Sequence, residues 1–266
     1  MTEPLRVGLI GWGAIGRTVA ELLADQSVEI VAVGVRRPDL ARDDLPAGAQ
    51  LVTAPDQLAG LDLDVVAEAA GRDSVDPWGH AALADGADLI VSSVSALADP
   101  SLLDSLRRSA ADHGARLEIQ TGALAGIDAL AGARLLGIDE VEHRIVKPPP
   151  AWRGTPAERL CPLDDLTEPT VFFRDTAAAT ASAFPKNANV AMTTALAGIG
   201  PDETAIVLVA DPAATTNRHE IRTAGAFGSL EVSIANNPLP ANPKTSAMAA
   251  LSLVRAIRNR VDPLVI

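Results

Sequence analysis

The sequence predicts an α/β chain in which a doubly wound parallel sheet comes first and a second α+β domain with a mixed sheet follows. Three observations lead there. An apolar run meets a glycine triplet and then a helical pattern; short apolar runs alternate with helix-period segments as far as about residue 121; beyond residue 126 alternating, half-buried strands replace that rhythm.

The first element is LRVGLIGWGAIG, residues 5–16, and RTVAELLA after it has the apolar spacing of a helix. Gly11, Gly13 and Gly16 have separate steric tasks there: a tight turn, close approach of backbone to a pyrophosphate, and packing of helix on strand. The pyrophosphate would rest on Gly13, Ala14 and Ile15, where free amides and the helix dipole favour an anion. Glycine loops also serve as plain turns, but a triplet directly after a strand and before a helix selects a Rossmann-type dinucleotide domain. Some 20 residues further on, an Asp or Glu would hold the ribose hydroxyls of NAD. Here the strand EIVAVGV ends instead in Arg36 and Arg37. Two guanidiniums can grip a 2'-phosphate, which favours NADP and leaves NAD open. The competing reading is a solvated pair of charges opening a surface loop.

LDVVAEAAG, a helix near 75–83, DLIVSSVS, a helix near 101–111 and ARLEIQTG continue the alternation, so the first domain is placed at residues 1–121. In such sheets ligands gather at the carboxyl ends of the strands. That rule nominates Ala70 and Gly71, Ser92 to Ser95 with Ser93 at their centre, and Gly122 to Ala125 with Ala123, although each is also an ordinary loop-former.

The second domain is placed at residues 122–243. VEHRIVKPPPAW predicts a strand entering a proline-stiffened loop, TVFFRDTAAATASAF a strand and then a helix, and NVAMTTALAGIG a helix. TAIVLVADP and RHEIRTAG alternate as strands, and GAFG turns the chain into SLEVSIANN as an antiparallel partner. Helices are expected on one face of this sheet. The tail, residues 244–266, carries Met248, Leu251, Val254 and Ile257 on one helical face, with Thr245 or Ser246 as its cap, and is expected to return to the first domain.

A chain of 266 residues, 48% of them hydrophobic, can bury a full core. Its net charge of −12 argues against a nucleic-acid partner, and 3% aromatics without a tyrosine argue against base stacking. With no charged and apolar leader and no apolar run of about 18 residues, neither secretion nor a membrane partner is expected. A single cysteine, Cys161, beside Pro162 and away from any histidine, is not expected to act as a nucleophile. No Cys/His spacing suggests a metal, and a cytoplasmic setting follows. An anionic substrate would need local cations, which Lys147, Lys186, Arg218, Arg222 and Lys244 could supply.

Proton transfer near neutral pH is best done by histidine, and there are four. His80 and His113 fall in or at the end of helices and read as structural or surface residues. His143 alternates on a strand. His219, where a loop delivers NRHEI into a strand, ranks ahead of it as the catalytic candidate, and an exposed strand histidine is the plain alternative for both. FPKNANV brings Lys186, Asn187 and Asn189 to a helix start: the amides suit a carboxamide or ribose, Lys186 suits a carboxylate, and Asn187 could equally cap the helix. Lys244 has the same two readings, and Arg222 is a third candidate for a substrate carboxylate.

GWGAIGR, VAEAAG, TGALAGIDAL, VKPPPAW, FPKNANVA, DPAATTNRHEI, GAFG and NPKTS, in this order, resemble the L-aspartate dehydrogenases of the homoserine dehydrogenase-like superfamily along nearly the whole chain. The resemblance implies a nucleotide domain, a sheet-bearing substrate domain that also makes a homodimer contact, and a C-terminal helix returning to the first domain. It implies that His219 is catalytic and that Ala123 and Asn189 touch the cofactor. The activity implied is reversible NAD(P)-dependent oxidative deamination of L-aspartate to iminosuccinate and then to oxaloacetate and ammonia, with iminosuccinate feeding NAD biosynthesis. FFRDTAAA departs from the pattern, carrying Arg174 and Asp175 where a small residue is expected. Competing readings keep the architecture: an NADP-dependent reductase or dehydrogenase of another small acid or aldehyde, as in homoserine dehydrogenase or dihydrodipicolinate reductase, or a non-catalytic NADP-sensing protein.

Overall fold

The computed structural model describes residues 3–24, 26–37, 39 and 43–265, apart from the side chains of residues 243 and 244. Two compact units divide the chain, residues 1–122 with 249–266 forming one and residues 123–248 the other.

The first unit is built on a six-stranded parallel sheet. Its strands are β1 (Leu5–Ile10), β2 (Val28–Gly34), β3 (Gln50–Val52), β4 (Val65–Glu68), β5 (Asp88–Val91) and β6 (Leu117–Ile119), in spatial order β3-β2-β1-β4-β5-β6. All pair in parallel. Val7, Leu9, Ile10, Val65, Val66, Leu89, Ile90 and Val91 are at most 1% exposed, as in a sheet covered on both faces. Helices α1 (Ala14–Leu23), α2 (Arg72–Ala84) and α3 (Pro100–Asp112) supply the crossovers. Asp99 starts α3 by accepting from the Ser101 amide at 2.9 Å, with Pro100 in the first helical position. The strand order reverses between β1 and β4, so their carboxyl ends open a crevice, the usual ligand position in doubly wound sheets.

The second unit begins with α4 (Ile127–Ala133) and β7 (Ile138–Lys147), then α5 (Ala157–Leu160), β8 (Thr170–Thr176), α6 (Ala177–Ala183), α7 (Ala188–Ala197), β9 (Ala205–Ala210), β10 (Asn217–Gly225) and β11 (Gly228–Asn236). Its five strands lie in the order β11-β10-β7-β9-β8, with β7 and β9 parallel and the other pairs antiparallel, the mixed sheet that the sequence predicts. Thr176 ends β8 and caps α6 by accepting from the Ala179 amide, which turns TVFFRDT into a helix without a loop. One face of the sheet, with Ile145, Ile206 and Leu208, packs on Trp152, Phe184, Ala191 and Ala195. The other carries charge: Arg174 pairs with Glu142, and Arg144 and Arg218 both reach Glu220. Arg174, the departure noted in FFRDTAAA, is therefore used on that outer face.

A two-stranded ribbon, β12 (Pro238–Leu239) with β13 (Asn242–Ser246), was not legible in a stretch carrying three prolines, which reads as loop. The last helix, α8 (Ala247–Arg258), is started by Ser246, whose hydroxyl accepts from the Met248 amide at 3.1 Å. Within the first unit the Ser252 hydroxyl donates to Gln120 at 2.8 Å, and the Arg260 guanidinium donates to Asp88 at 3.0 Å and Glu118 at 2.8 Å. Among the described residues no helix is long and apolar enough to cross a membrane.

Trp152 anchors the second unit's core. It is fully buried, meets Phe172 edge-on with centroids 4.8 Å apart, and donates its indole N–H to the Val209 carbonyl at 3.0 Å. Replacing it by Ala removes the ring and leaves that carbonyl without its indole donor. Trp152→Ala is expected to lower unfolding stability by about 3–5 kcal/mol, read as a fall in the urea midpoint, against less than about 1 kcal/mol for a surface change such as Leu135→Ala.

Candidate functional site

The glycine loop of the first unit has the geometry its sequence requires. At Gly11, φ is +108° and an added Cβ would lie 2.6 Å from the Ala69 carbonyl; at Gly16 it would lie 2.1 Å from the Gly11 carbonyl. Neither position tolerates a side chain without moving backbone. Gly13 is different: a Cβ there would meet nothing within 4 Å, so its face is open to a ligand. It is also the N-cap of α1 and offers no side-chain cap, so the first amides of the helix, at Ala14 and Ile15, keep their capacity for an anion.

This loop forms one wall of a cleft of about 600 Å³, lined also by Arg36, Arg37, Ala70, Gly71 and Trp78. Both arginines follow β2 and are exposed, where a 2'-phosphate would be met. Trp12 is held by donating its indole N–H to Asp44 at 3.0 Å, and Asp44 also pairs with Arg17. The Trp12 hydrogen bond is the leading cause that lowers the Asp44 carboxyl below its usual pKa, with the Arg17 charge acting the same way. A dinucleotide therefore fits what is present: an open glycine face and uncapped helix amides for its pyrophosphate, and cations at the end of β2 for its ribose end.

The opposite wall depends on a residue that sequence reading passed over. Glu68 ends β4 with no exposure at all. Its Oε1 accepts from the amides of Ala70 and Gly71 at 2.8 Å and from the hydroxyls of Ser74 and Ser93 at 2.9 Å, and Oε2 accepts from the Ser93 amide at 2.9 Å. One carboxylate thus fixes the loops after β4 and β5 together. Ser93, nominated as a cofactor contact, has its hydroxyl turned to Glu68, while Ala70 and Gly71 line the cleft.

The second unit holds a buried polar cluster. His143 on β7 and His219 on β10 are 0% and 5% exposed, and His143 Nε2 lies 3.1 Å from His219 Nδ1. His143 Nδ1 is 2.9 Å from the Thr194 hydroxyl on α7. The two histidines, weighed as alternatives from sequence, are partners. Burial pushes His143 down to about 3 and, with the charges of His143 and Lys147, holds His219 well below its ordinary value, so both rings are neutral at physiological pH. Lys147, at the end of β7, donates to Asn187 Oδ1 at 2.5 Å and lies 4.9 Å from the Trp152 ring centroid. Burial, then the nearby Lys186, pushes Lys147 down to about 8.

The other candidates divide. Asn187 occupies the N-cap position of α7 without capping it by its side chain, because its oxygen is taken by Lys147. Lys186 is exposed in the turn before α7, and Asn189 is exposed in the first turn of α7. Ala123 is nearly buried and its carbonyl accepts from Asn236 at 2.9 Å. The side chain of Lys244 lies outside the described residues. Arg222 requires a correction: three residues from His219 along β10 it points to the opposite face of the sheet, where it is exposed and pairs with Glu231 at 2.7 Å, so it does not join the imidazole cluster. His80 and His113 bond within and beside their helices, to Asp76, Ser105 and Ser109. Cys161 is buried, and burial raises its thiol pKa, the opposite of what a nucleophile needs.

Residues 128–260 match the family model for the C-terminal domain of aspartate dehydrogenase, and residues 11–120 match that for the NAD binding domain of homoserine dehydrogenase. An L-aspartate dehydrogenase of Brucella anthropi is 56% identical over 260 residues, covering 97% of both chains. One from Cupriavidus necator is 44% identical, covering 96% of this chain and 97% of its own. The crystal structure of aspartate dehydrogenase from Thermotoga maritima superposes with a TM-score of 0.79 at 26% identity, covering 98% of this chain and 99% of the other.

The Glu68 arrangement yields a direct test. In Glu68→Gln, one acceptor becomes an NH2 that faces the amide or hydroxyl donors, leaving a buried donor unpaired at a cost of about 1–3 kcal/mol. The variant is expected to melt at lower temperature and to bind NAD(P)H at least several-fold more weakly by calorimetric titration; unchanged values for both would remove Glu68 from its organising role.

Proposed function

The chain belongs to the aspartate dehydrogenase family, and from the site just described we infer that it catalyses the reversible NAD(P)-dependent oxidative deamination of L-aspartate. The product is iminosuccinate, which water converts to oxaloacetate and ammonia. The observation that carries this reading is the buried neutral imidazole of His219, held by His143 and accompanied by the lysine Lys147, in a chain that also has a dinucleotide cleft.

When bound, NAD(P) supplies the hydride acceptor. Gly11, Gly13, Ala14, Ile15 and Gly16 would hold its pyrophosphate, and Arg36 and Arg37 its adenosine ribose, with a 2'-phosphate favoured over free hydroxyls. His219, neutral over the physiological range, is suited to take a proton from the substrate ammonium or from the water that attacks the imine, because an imidazolium there would be penalised by burial. Lys147 and Lys186 offer positive charge to the carboxylates. On the same reading the protein is a cytoplasmic homodimer formed through its second unit, and its iminosuccinate is available to NAD biosynthesis. A lone cysteine that is buried suits a reducing compartment.

Initial rates at 340 nm with L-aspartate are expected with both coenzymes and to be faster with NADP, and the reverse reaction is expected with oxaloacetate and ammonia. His219→Ala should lower kcat by about 100-fold or more while leaving coenzyme affinity within twofold. Equal turnover in wild type and variant would exclude His219 from proton transfer.

A pH experiment isolates Lys147. Its lowered pKa means that the ammonium is present below about 8 and is lost above it, well before an exposed lysine would titrate. If that charge holds a substrate carboxylate, wild type exceeds Lys147→Met in kcat/KM for L-aspartate below about pH 8, and the advantage shrinks above it. A ratio independent of pH would assign Lys147 to packing alone.

A further inference from the structure

We propose that Thr194 and His143 are positioning residues that fix the His219 ring in one tautomer, with its proton on Nδ1 and its lone pair on Nε2. The proposal rests on the reading of His219 as a proton acceptor and explains what makes it one. It follows from counting protons along a buried chain. The Thr194 hydroxyl has a single proton, and it donates to the Val190 carbonyl one turn back along α7, at 3.1 Å. The same oxygen lies 2.9 Å from His143 Nδ1 and can serve that ring only as an acceptor, so His143 carries its proton on Nδ1. His143 Nε2 is then bare. It faces His219 Nδ1 at 3.1 Å, and for that contact to be a hydrogen bond His219 must supply the proton. A neutral ring has one N–H, and so Nε2 of His219 is left with the lone pair.

Both rings must be neutral for this to hold, and their surroundings make them so. His143 is wholly buried, and the charged or titratable groups acting on His219 are His143 and Lys147, both of which disfavour a second positive charge. The alternative arrangement runs in the opposite sense: Thr194 donates to His143, His143 Nε2–H donates to His219, and His219 presents N–H rather than a lone pair. That ring would face substrate as a donor, the wrong state for accepting a proton. The register supports a fixed contact, since His219 pairs with Ile145 and Ile221 with His143, placing the two rings diagonally on adjacent central strands rather than on mobile loops.

The tautomers can be read directly from the unliganded full chain. With 15N-labelled histidine, two-bond and one-bond proton correlations tell a protonated from a bare ring nitrogen, and His80→Gln and His113→Gln remove the two unrelated signals. Because His143 and His219 share one tautomer in either arrangement, no further assignment is needed: both are expected as Nδ1–H, and both as Nε2–H would overturn the proposal. Thr194→Val removes the hydroxyl at nearly constant volume and is expected to shift the pair toward Nε2–H. It should also lower kcat on the order of 10-fold or more, as loss of an orienting partner does in hydrolytic triads, with KM and coenzyme affinity within about twofold, and Thr194→Ser should restore both. Loss of activity in Thr194→Val without change of tautomer, or failure of serine to rescue, would also overturn it. The spectra need no substrate, so a protein with both rings as Nδ1–H that leaves L-aspartate untouched keeps the tautomer assignment and loses the activity assignment.

Discussion

Glu68 has no water around it, and a carboxylate stripped of water survives only where donors take water's place. Five donor contacts do so, from the backbone or hydroxyls of Ala70, Gly71, Ser74 and Ser93. None of them comes from a cation. The side chain is therefore held wholly by oriented dipoles, and it draws those dipoles together in turn. The loops following β4 and β5 become one rigid piece, and Gly11, whose missing Cβ lets Ala69 approach, seats the glycine loop against it. Both walls of the cleft thus derive from a single buried carboxyl group and a single absent methyl group.

The second unit solves a related problem without charge. Two imidazoles in its interior are kept neutral, each giving the other a hydrogen-bond partner that solvent cannot supply. Neutrality has a thermodynamic consequence. The unfolded chain takes up protons at these rings below about 6.5, whereas the folded chain holds His143 neutral down to about 3, so protons favour the unfolded state and the pair costs stability progressively as pH falls through that window. Burying a neutral imidazole pair therefore brings acid sensitivity with it. Lys147 stands at the other limit, close to losing its charge at the top of the physiological range, and an arriving carboxylate would restore it.

Much of this was legible in the sequence because it depends on short-range rules. The strand, glycine loop and helix at residues 5–23, the helix near 101–111 and the GAFG hairpin are local chemistry, and they fall where the patterns place them. The alternation of β10 held a sign that went unused: positions 219 and 222 differ by an odd number and so face opposite sides, which sets Arg222, nominated for a substrate carboxylate, apart from His219. What could not be read was register. Nothing in VEHRIVK or NRHEI says that His143 will lie diagonally across from His219, because that depends on how β7 and β10 align across a sequence separation of 76. Glu68 was hidden for another reason. An acid closing a four-residue strand looks like an ordinary strand end, and the sign that it is not lies in the small residues around it, whose amides and hydroxyls can converge on one acceptor.

Charge presents the remaining tension, since a chain of net charge −12 binds an anionic dinucleotide and, on the reading above, a dicarboxylate. Distance resolves it. At physiological ionic strength, exposed charges are screened over about 8 Å, so most of the acidic surface contributes little at the site. Contact charges decide instead. In the cleft Arg17 is already committed to Asp44, and a guanidinium so paired offers an incoming phosphate little net charge. Arg36 and Arg37, beyond the end of β2, line the same cleft as exposed cations. An acid there would accept from the ribose hydroxyls and repel a 2'-phosphate, whereas two guanidiniums would do the reverse, so a local pair of cations can act against the sign of the whole molecule.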